Sequence, residues 1–180
     1  SSHCLEHLTD KQVNNILIES YRILKPNSPL RIVLPDMKKM FDSYDNREAH
    51  YFEEIRSKQE RPNFLWIYDT WLRLISRSFA GHVIDKFSDK ELEDMYSKLD
   101  RHEYISEILK KEKNLPQYRF VPNCHKSYWD YNKLEKILIG IGFTKIGPSR
   151  QGLSKNSILR NRALFDNTAP QRSFILEAFK

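Results

Sequence analysis

His3-Cys4-Leu5-Glu6-His7 sets two imidazoles and a carboxylate side by side near the start of the chain. Taken alone it satisfies H-x-x-E-H, the inverted zinc-protease pattern, in which two histidines one helical turn apart hold zinc and a glutamate acts as base. Such a site needs a long helix around the motif and a further ligand from a neighbouring one. Here Thr9-Asp10-Lys11-Gln12 starts a helix only after the motif has ended. Cys4, His7, Cys124 and His125 offer the right ligand types for a structural zinc, but without the paired spacing such sites use. No metal is assigned. A second group, Arg150, Lys155, Arg160 and Arg162, lies in one stretch with Ser154, Ser157 and Asn161. Arginine grips phosphate and carboxylate in a forked geometry. Arg150, Arg160 and Arg162 are therefore candidate contacts for an anionic substrate, such as a phosphate- or carboxylate-bearing sugar, with a solvated loop as the plainer reading.

Thr9 to Gln12 fits a capping box, and Val13, Ile16, Leu17, Tyr21 and Leu24 then repeat at helical spacing up to Pro26. Asn27 suits a left-handed turn, and Leu30 to Leu34 is a short, largely apolar strand of the kind found inside parallel sheets. From about Asp36 to Asn114 the periodicity is helical. Phe64, Ile67, Tyr68, Trp71, Leu72, Ile75 and Phe79 form one stripe, broken by Gly81. Ser88-Asp89-Lys90-Glu91 is a second capping box, heading a helix with Leu92, Met95, Tyr96 and Leu99 inside. Tyr104, Ile105, Ile108 and Leu109 mark another helix. In the last third, Asp130 caps a helix bearing Leu134, Ile137, Leu138 and Ile141, with Gly140 and Gly142 at its end. Phe143 to Ile146 and Ser173 to Phe179 read as strands, with a loop from Gly147 to Pro170 between them.

A chain of 180 residues with 39% hydrophobic and 30% charged residues has the make-up of one soluble domain with a real core. The longest apolar run, Phe64-Leu65-Trp66-Ile67-Tyr68, is far shorter than the roughly 20 residues of a membrane span. No secretory leader is visible, and two cysteines in unlike contexts favour a reducing, cytoplasmic setting. The net charge of +6 is compatible with an anionic partner, though a solvated surface accounts for it equally well.

The wider pattern is more specific than the five-residue motif. Ser2-His3-Cys4-Leu5-Glu6-His7-Leu8, a helix ending Tyr21-Arg22-Ile23-Leu24-Lys25-Pro26, and then Leu30-Arg31-Ile32-Val33-Leu34-Pro35-Asp36 resemble the family stretch S-x-x-L-E-H-L, Y-R-V-L-K-P-G-G, L-R-I-x-x-P-D. This is the second half of a class I S-adenosylmethionine (AdoMet) methyltransferase, entered just past its fourth strand. Leu134 to Phe143 and Ser173 to Lys180 resemble that family's final helix and last strand. Residues 1–37 and 125–180 are covered, and Asn27-Ser28 stands where the family has two glycines. The resemblance implies an α/β fold, the C-terminal part of a Rossmann-like methyltransferase. Its core is a small three-stranded mixed sheet in the spatial order first, third, second, with the last strand antiparallel. Within the single domain 1–180, residues 38–124 then form a mainly helical insertion. The half that carries the glycine-rich cofactor loop is expected to lie outside this chain, as in a truncated or processed product.

In such sheets ligands sit beyond the carboxyl ends of the parallel strands. The resemblance therefore puts Ser2, His3 and Leu5 beside the methyl-bearing end of AdoMet. Methyl transfer from sulfonium depends mainly on alignment, and a hydroxyl acceptor gains from a nearby base. His3, Asp36 and His125 are the candidates for that base, the last preceding a helix within Asn123-Cys124-His125-Lys126-Ser127-Tyr128. For each, an ordinary structural role competes, and Glu6 and His7 are as well explained by holding the start of the helix. The chain alone is expected to be inactive and to bind AdoMet weakly or not at all, with a sugar or other small polar acceptor in the whole protein. It is also expected to self-associate through the open edge of strand 30–34, or to cover that edge with the insertion. A non-catalytic module, one binding nucleic acid, is the reading from another class, on the +6 charge and 12% aromatic content. Against it, the aromatics follow core periodicity and no nucleic-acid-binding signature is present.

Overall fold

Leu30 to Leu34 lies within a strand, β1, over Pro29–Pro35, and its alternate residues meet two unlike environments. In a computed structural model, which describes residues 1–57, 69–80, 84–113, 125–167 and 169–180, the chain divides into two compact units. The first is Ser1–Met37 with Lys126–Lys180, the second Lys38–His125.

The first unit is α/β. Its helices are α1 (Asp10–Ile23) and α7 (Tyr131–Ile141), and its other strands are β2 (Thr144–Ser149) and β3 (Ser173–Phe179). The strand order is β1-β3-β2. β3 runs antiparallel to both neighbours, so every pairing between named strands is antiparallel and the expected mixed character is not found within the sheet itself. Among the described residues the one parallel pairing is an isolated bridge, Ser2 with Val33. There the His3 amide donates to Val33 O at 3.0 Å and the Val33 amide to Ser1 O at 2.8 Å.

That bridge corrects the expectation of an open edge. Ser1 to His3 lie along β1 and take up its outward hydrogen bonds at Val33, while Ser1 N donates to Arg31 O at 2.8 Å. Pro29 and Pro35, at the ends of the strand, have no N–H to offer a further strand.

Capping signals fix both helices. Thr9 and Gln12 form the capping box of α1, and Asp130 Oδ1 accepts from the Lys133 amide at the start of α7. α7 ends on Gly142, at φ 110°, where a side chain would strain the backbone and press on the Tyr21 ring. Asn27, at φ 61°, makes the expected left-handed turn, and its amide donates to Lys180 O at 2.8 Å. β2 starts one residue later than expected, because the Phe143 amide donates to Leu138 O at 3.0 Å in closing α7, and it continues to Ser149.

Ile32, Leu34, Leu176 and Ala178, with Phe174, face Val13 and Leu17 of α1 and Leu134 and Leu138 of α7 in one cluster. Ile32, Leu34, Leu176 and Ala178 are completely buried. At about 25 cal/mol per Å² of apolar surface, burial of this cluster is the main force closing the unit.

The second unit is helical among its described residues: α2 (Met37–Asp45), α3 (Ala49–Ser57), α4 (Trp71–Ala80), α5 (Asp89–Lys98) and α6 (Arg101–Lys113). The Ser88–Glu91 capping box starts α5. Phe52 stacks on Trp71 at 4.8 Å, and the Ser76 and Tyr104 hydroxyls meet at 2.5 Å in a buried position. Burial raises the Tyr104 phenol above its usual range. Arg77 bonds Asp69 at 2.6 Å and Asp85 at 2.8 Å. The expected stripe residues Phe64, Ile67 and Tyr68, its break Gly81, and Cys124 all lie outside the described residues. Among the described residues no helix is long and apolar enough to cross a membrane.

Candidate functional site

The bridge to β1 carries His3 toward the start of β3, at the carboxyl end of β1. His3 Nε2 lies 2.8 Å from Ser173 Oγ, and its Nδ1 lies 3.2 Å from Glu6 Oε1. The Ser173 hydroxyl has a single proton and donates it to Ala169 O at 2.8 Å, so His3 Nε2 must donate to Ser173. Glu6 is buried, and its carbonyl accepts from the Lys126 amide at 2.7 Å and the Ser127 amide at 3.2 Å. Asp36 follows β1 on the same rim, with its amide donating to Arg172 O at 2.9 Å.

Two backbone outliers mark this rim. His3 at φ 46° and Ala169 at φ 42° are left-handed residues other than glycine, a conformation costing on the order of 1–3 kcal/mol each. The His3–Ser173–Ala169 chain of contacts joins one to the other.

The expected residues fare unequally. His3 and Asp36 each contact the start of β3, through Ser173 and Arg172, while Ser2 pairs with Val33 and lines a groove beside Arg31. Leu5 does not line it: it sits in a 3₁₀ turn, Leu5–His7, and is buried in the core cluster because its side chain meets the apolar face of the sheet. The left-handed His3 and this short turn replace the single helix that H-x-x-E-H zinc binding needs. His125 is the last residue of the second unit. Just after it, Ser127 Oγ takes the Trp129 indole N–H at 2.8 Å.

The basic loop residues Arg150, Arg160 and Arg162 are all exposed. Arg160 Nε donates to Ser154 O at 2.8 Å, and Arg162 Nη2 to Gln151 Oε1 at 3.2 Å. Arg150 offers its carbonyl to Arg31 and is otherwise exposed. Each guanidinium of the pair 160 and 162 is spent on tightening the loop.

The feature that sequence reading missed is Arg31. Buried in the sheet, it makes five hydrogen bonds: Nε and Nη2 to Asp166 at 2.9 and 2.5 Å, Nη1 to Ser149 and Glu177 at 2.8 Å each, and Nη2 to Arg150 O at 3.0 Å. All five guanidinium N–H groups are used. Ser154 Oγ and the Lys155 amide add bonds to Glu177. The signal was available, since Arg31 and Glu177 are single opposite charges set in two otherwise apolar strands, and they sit directly opposite in the register. A groove of about 410 Å³ runs beside this network, lined by Ser2, Leu30, Phe165 and Asn167 among others.

No family of known proteins, no curated protein and no solved structure matches the chain at a significant level.

Proposed function

We propose that the first unit is the C-terminal half of an AdoMet-dependent methyltransferase of class I, with a small polar molecule as acceptor. The observation that carries this reading is the strand arrangement. An isolated parallel bridge at Ser2, then α1 and then β1 follow one another along the chain, and the order β1-β3-β2 places an antiparallel last strand between the other two. That is the order and direction the motif resemblance implies. The carboxyl end of β1 supports it further, because His3 and Asp36 both reach the start of β3 there, through Ser173 and Arg172, with strained His3 and Ala169 beside them.

On this reading His3 is a positioning residue. Both of its ring nitrogens are engaged, so it holds Ser1–Glu6 against β3 and shapes the wall that faces the methyl donor. Asp36 is then the carboxylate proposed to take the acceptor's proton. AdoMet would supply the electrophilic methyl, and this chain would supply one side of the pocket.

Calorimetry tests the reading in two arms. The complete gene product is expected to bind AdoMet in the micromolar range, and residues 1–180 alone to bind it at least about a hundredfold more weakly. A complete gene product with no measurable AdoMet affinity overturns the assignment.

A further inference from the structure

Away from the rim, α1 and α7 leave an open groove of about 850 Å³ between them. Its floor is apolar: Ile18 and Tyr21 from α1, Ile137 and Ile141 from α7. Ile18 remains 45% exposed, although buried Val13 and Leu17 show that α1 already has a fully packed inner face. Gly140 also lines the groove. A Cβ added there would meet nothing within 4 Å, so no contact inside this chain requires glycine at that point. Glycine within a helix costs stability relative to alanine, and what it gives in return is close approach by another backbone.

The rim of the groove is basic. Lys11 and Arg22 stand on the same stripe of α1 as Ile18, Lys136 stands one turn before Gly140 on α7, and Lys180 closes one end over the Tyr21 ring. Glu19 pairs with Arg22 and Asp10 with Lys133, so the surplus positive charge of the rim rests on Lys11, Lys136 and Lys180.

We propose that this groove docks an amphipathic helix of a partner protein, with an apolar stripe on Ile18, Ile137 and Ile141 and acidic residues along both flanks. A helix fits better than an anionic membrane surface, which needs an apolar face that projects, whereas this one is a groove between two helices with Gly140 in its lining. The inference is independent of the methyltransferase reading.

The probe is a synthetic helical peptide of about 18 residues, with leucines at helical spacing and glutamates elsewhere. Its control has every glutamate replaced by lysine. Titrated into the ¹⁵N-labelled chain, the acidic peptide is expected to shift the amides of Ile18, Ile137, Gly140 and Ile141 saturably. The control is expected to bind at least about tenfold more weakly, and R22E with K180E to reverse the preference. Gly140→Leu, which fills the open space, is expected to weaken binding by at least about tenfold without lowering Tm. Should that variant misfold, Ile18→Glu at an exposed position serves in its place. The proposal is overturned by unshifted groove amides, by equal binding of both peptides, or by binding that survives a filled groove. It is equally overturned if anionic phosphatidylserine vesicles or a second copy of the chain, and not the peptide, occupy this face.

Discussion

The two faces of the three-stranded sheet are made by alternate residues of the same strands, yet they are closed by different physics. One face sets Ile32, Leu34, Leu176 and Ala178 against the helices α1 and α7, a dry cluster held by apolar burial. The other sets Arg31 and Glu177 against a loop, and Asp166, Ser149 and Ser154 complete the bonds that the guanidinium and carboxylate require. A helix satisfies its own backbone and needs only an apolar surface to rest on. A loop brings unsatisfied carbonyls and amides, so the sheet beneath it must offer polar partners. The buried ions thus attach an irregular segment beside Val33 and Ile175, the buried apolar pair of the same face.

Substitutions can break or sharpen this contrast, and the largest effect belongs to the ionic face. Arg31→Ala leaves Asp166 and Glu177 buried without their counter-ion and is expected to cost about 3–5 kcal/mol in urea unfolding. Replacing Arg31, Asp166 and Glu177 together by apolar residues of similar volume is expected to recover most of that loss. If the triple variant is as unstable as the single one, the loop is held by something other than charge pairing. On the apolar face, Leu176→Ala, at a completely buried position, is expected to cost about 2–5 kcal/mol, with no rescue available from charge. Ser154→Ala removes one hydrogen bond to Glu177 and should cost about 1–2 kcal/mol, less in the Glu177-deleted background. Thr9→Ala removes the α1 cap and should cost about 1 kcal/mol, leaving the loop-covered face unchanged.

The smallest effect lies in the second unit, where an ion pair is half in water. The hydrogen bond from Arg77 holds the Asp85 carboxyl below its usual range. A lowered acid adds stability that is present above its ordinary value and is lost as the pH falls through the lowered one. Asp85 is 55% exposed, so the contribution should be only a few tenths of a kcal/mol. Acid unfolding of Asp85→Asn is expected to diverge slightly from the unaltered chain above about pH 4 and to converge with it below.

How much of this was legible in the sequence follows from the same contrast. The α1 and α5 capping boxes, the Asp130 cap, the left-handed Asn27 and the three strands were all readable, because each is a local rule written in neighbouring residues. Strand order emerged only through family resemblance. Asp166 meets Arg31 across more than a hundred residues of sequence, a pairing that no periodicity encodes. At the candidate site, Ser2, His3 and Asp36 were named, while Ser173 and the strain at Ala169 were not, since nothing local singles out a serine that receives a distant imidazole. Leu5 was misread because an apolar residue beside a pocket and one beneath it look alike in a one-dimensional pattern.

The middle place of β3 has a consequence for biosynthesis. β1 and β2 share no hydrogen bonds with each other; both wait for Ser173–Phe179, which the ribosome delivers after them. Within this chain, Ile32 and Leu34 gain their antiparallel partners only when that last segment has formed. The centre of the three-stranded sheet is thus filled by its final strand, a long-range closure of the kind that slows folding.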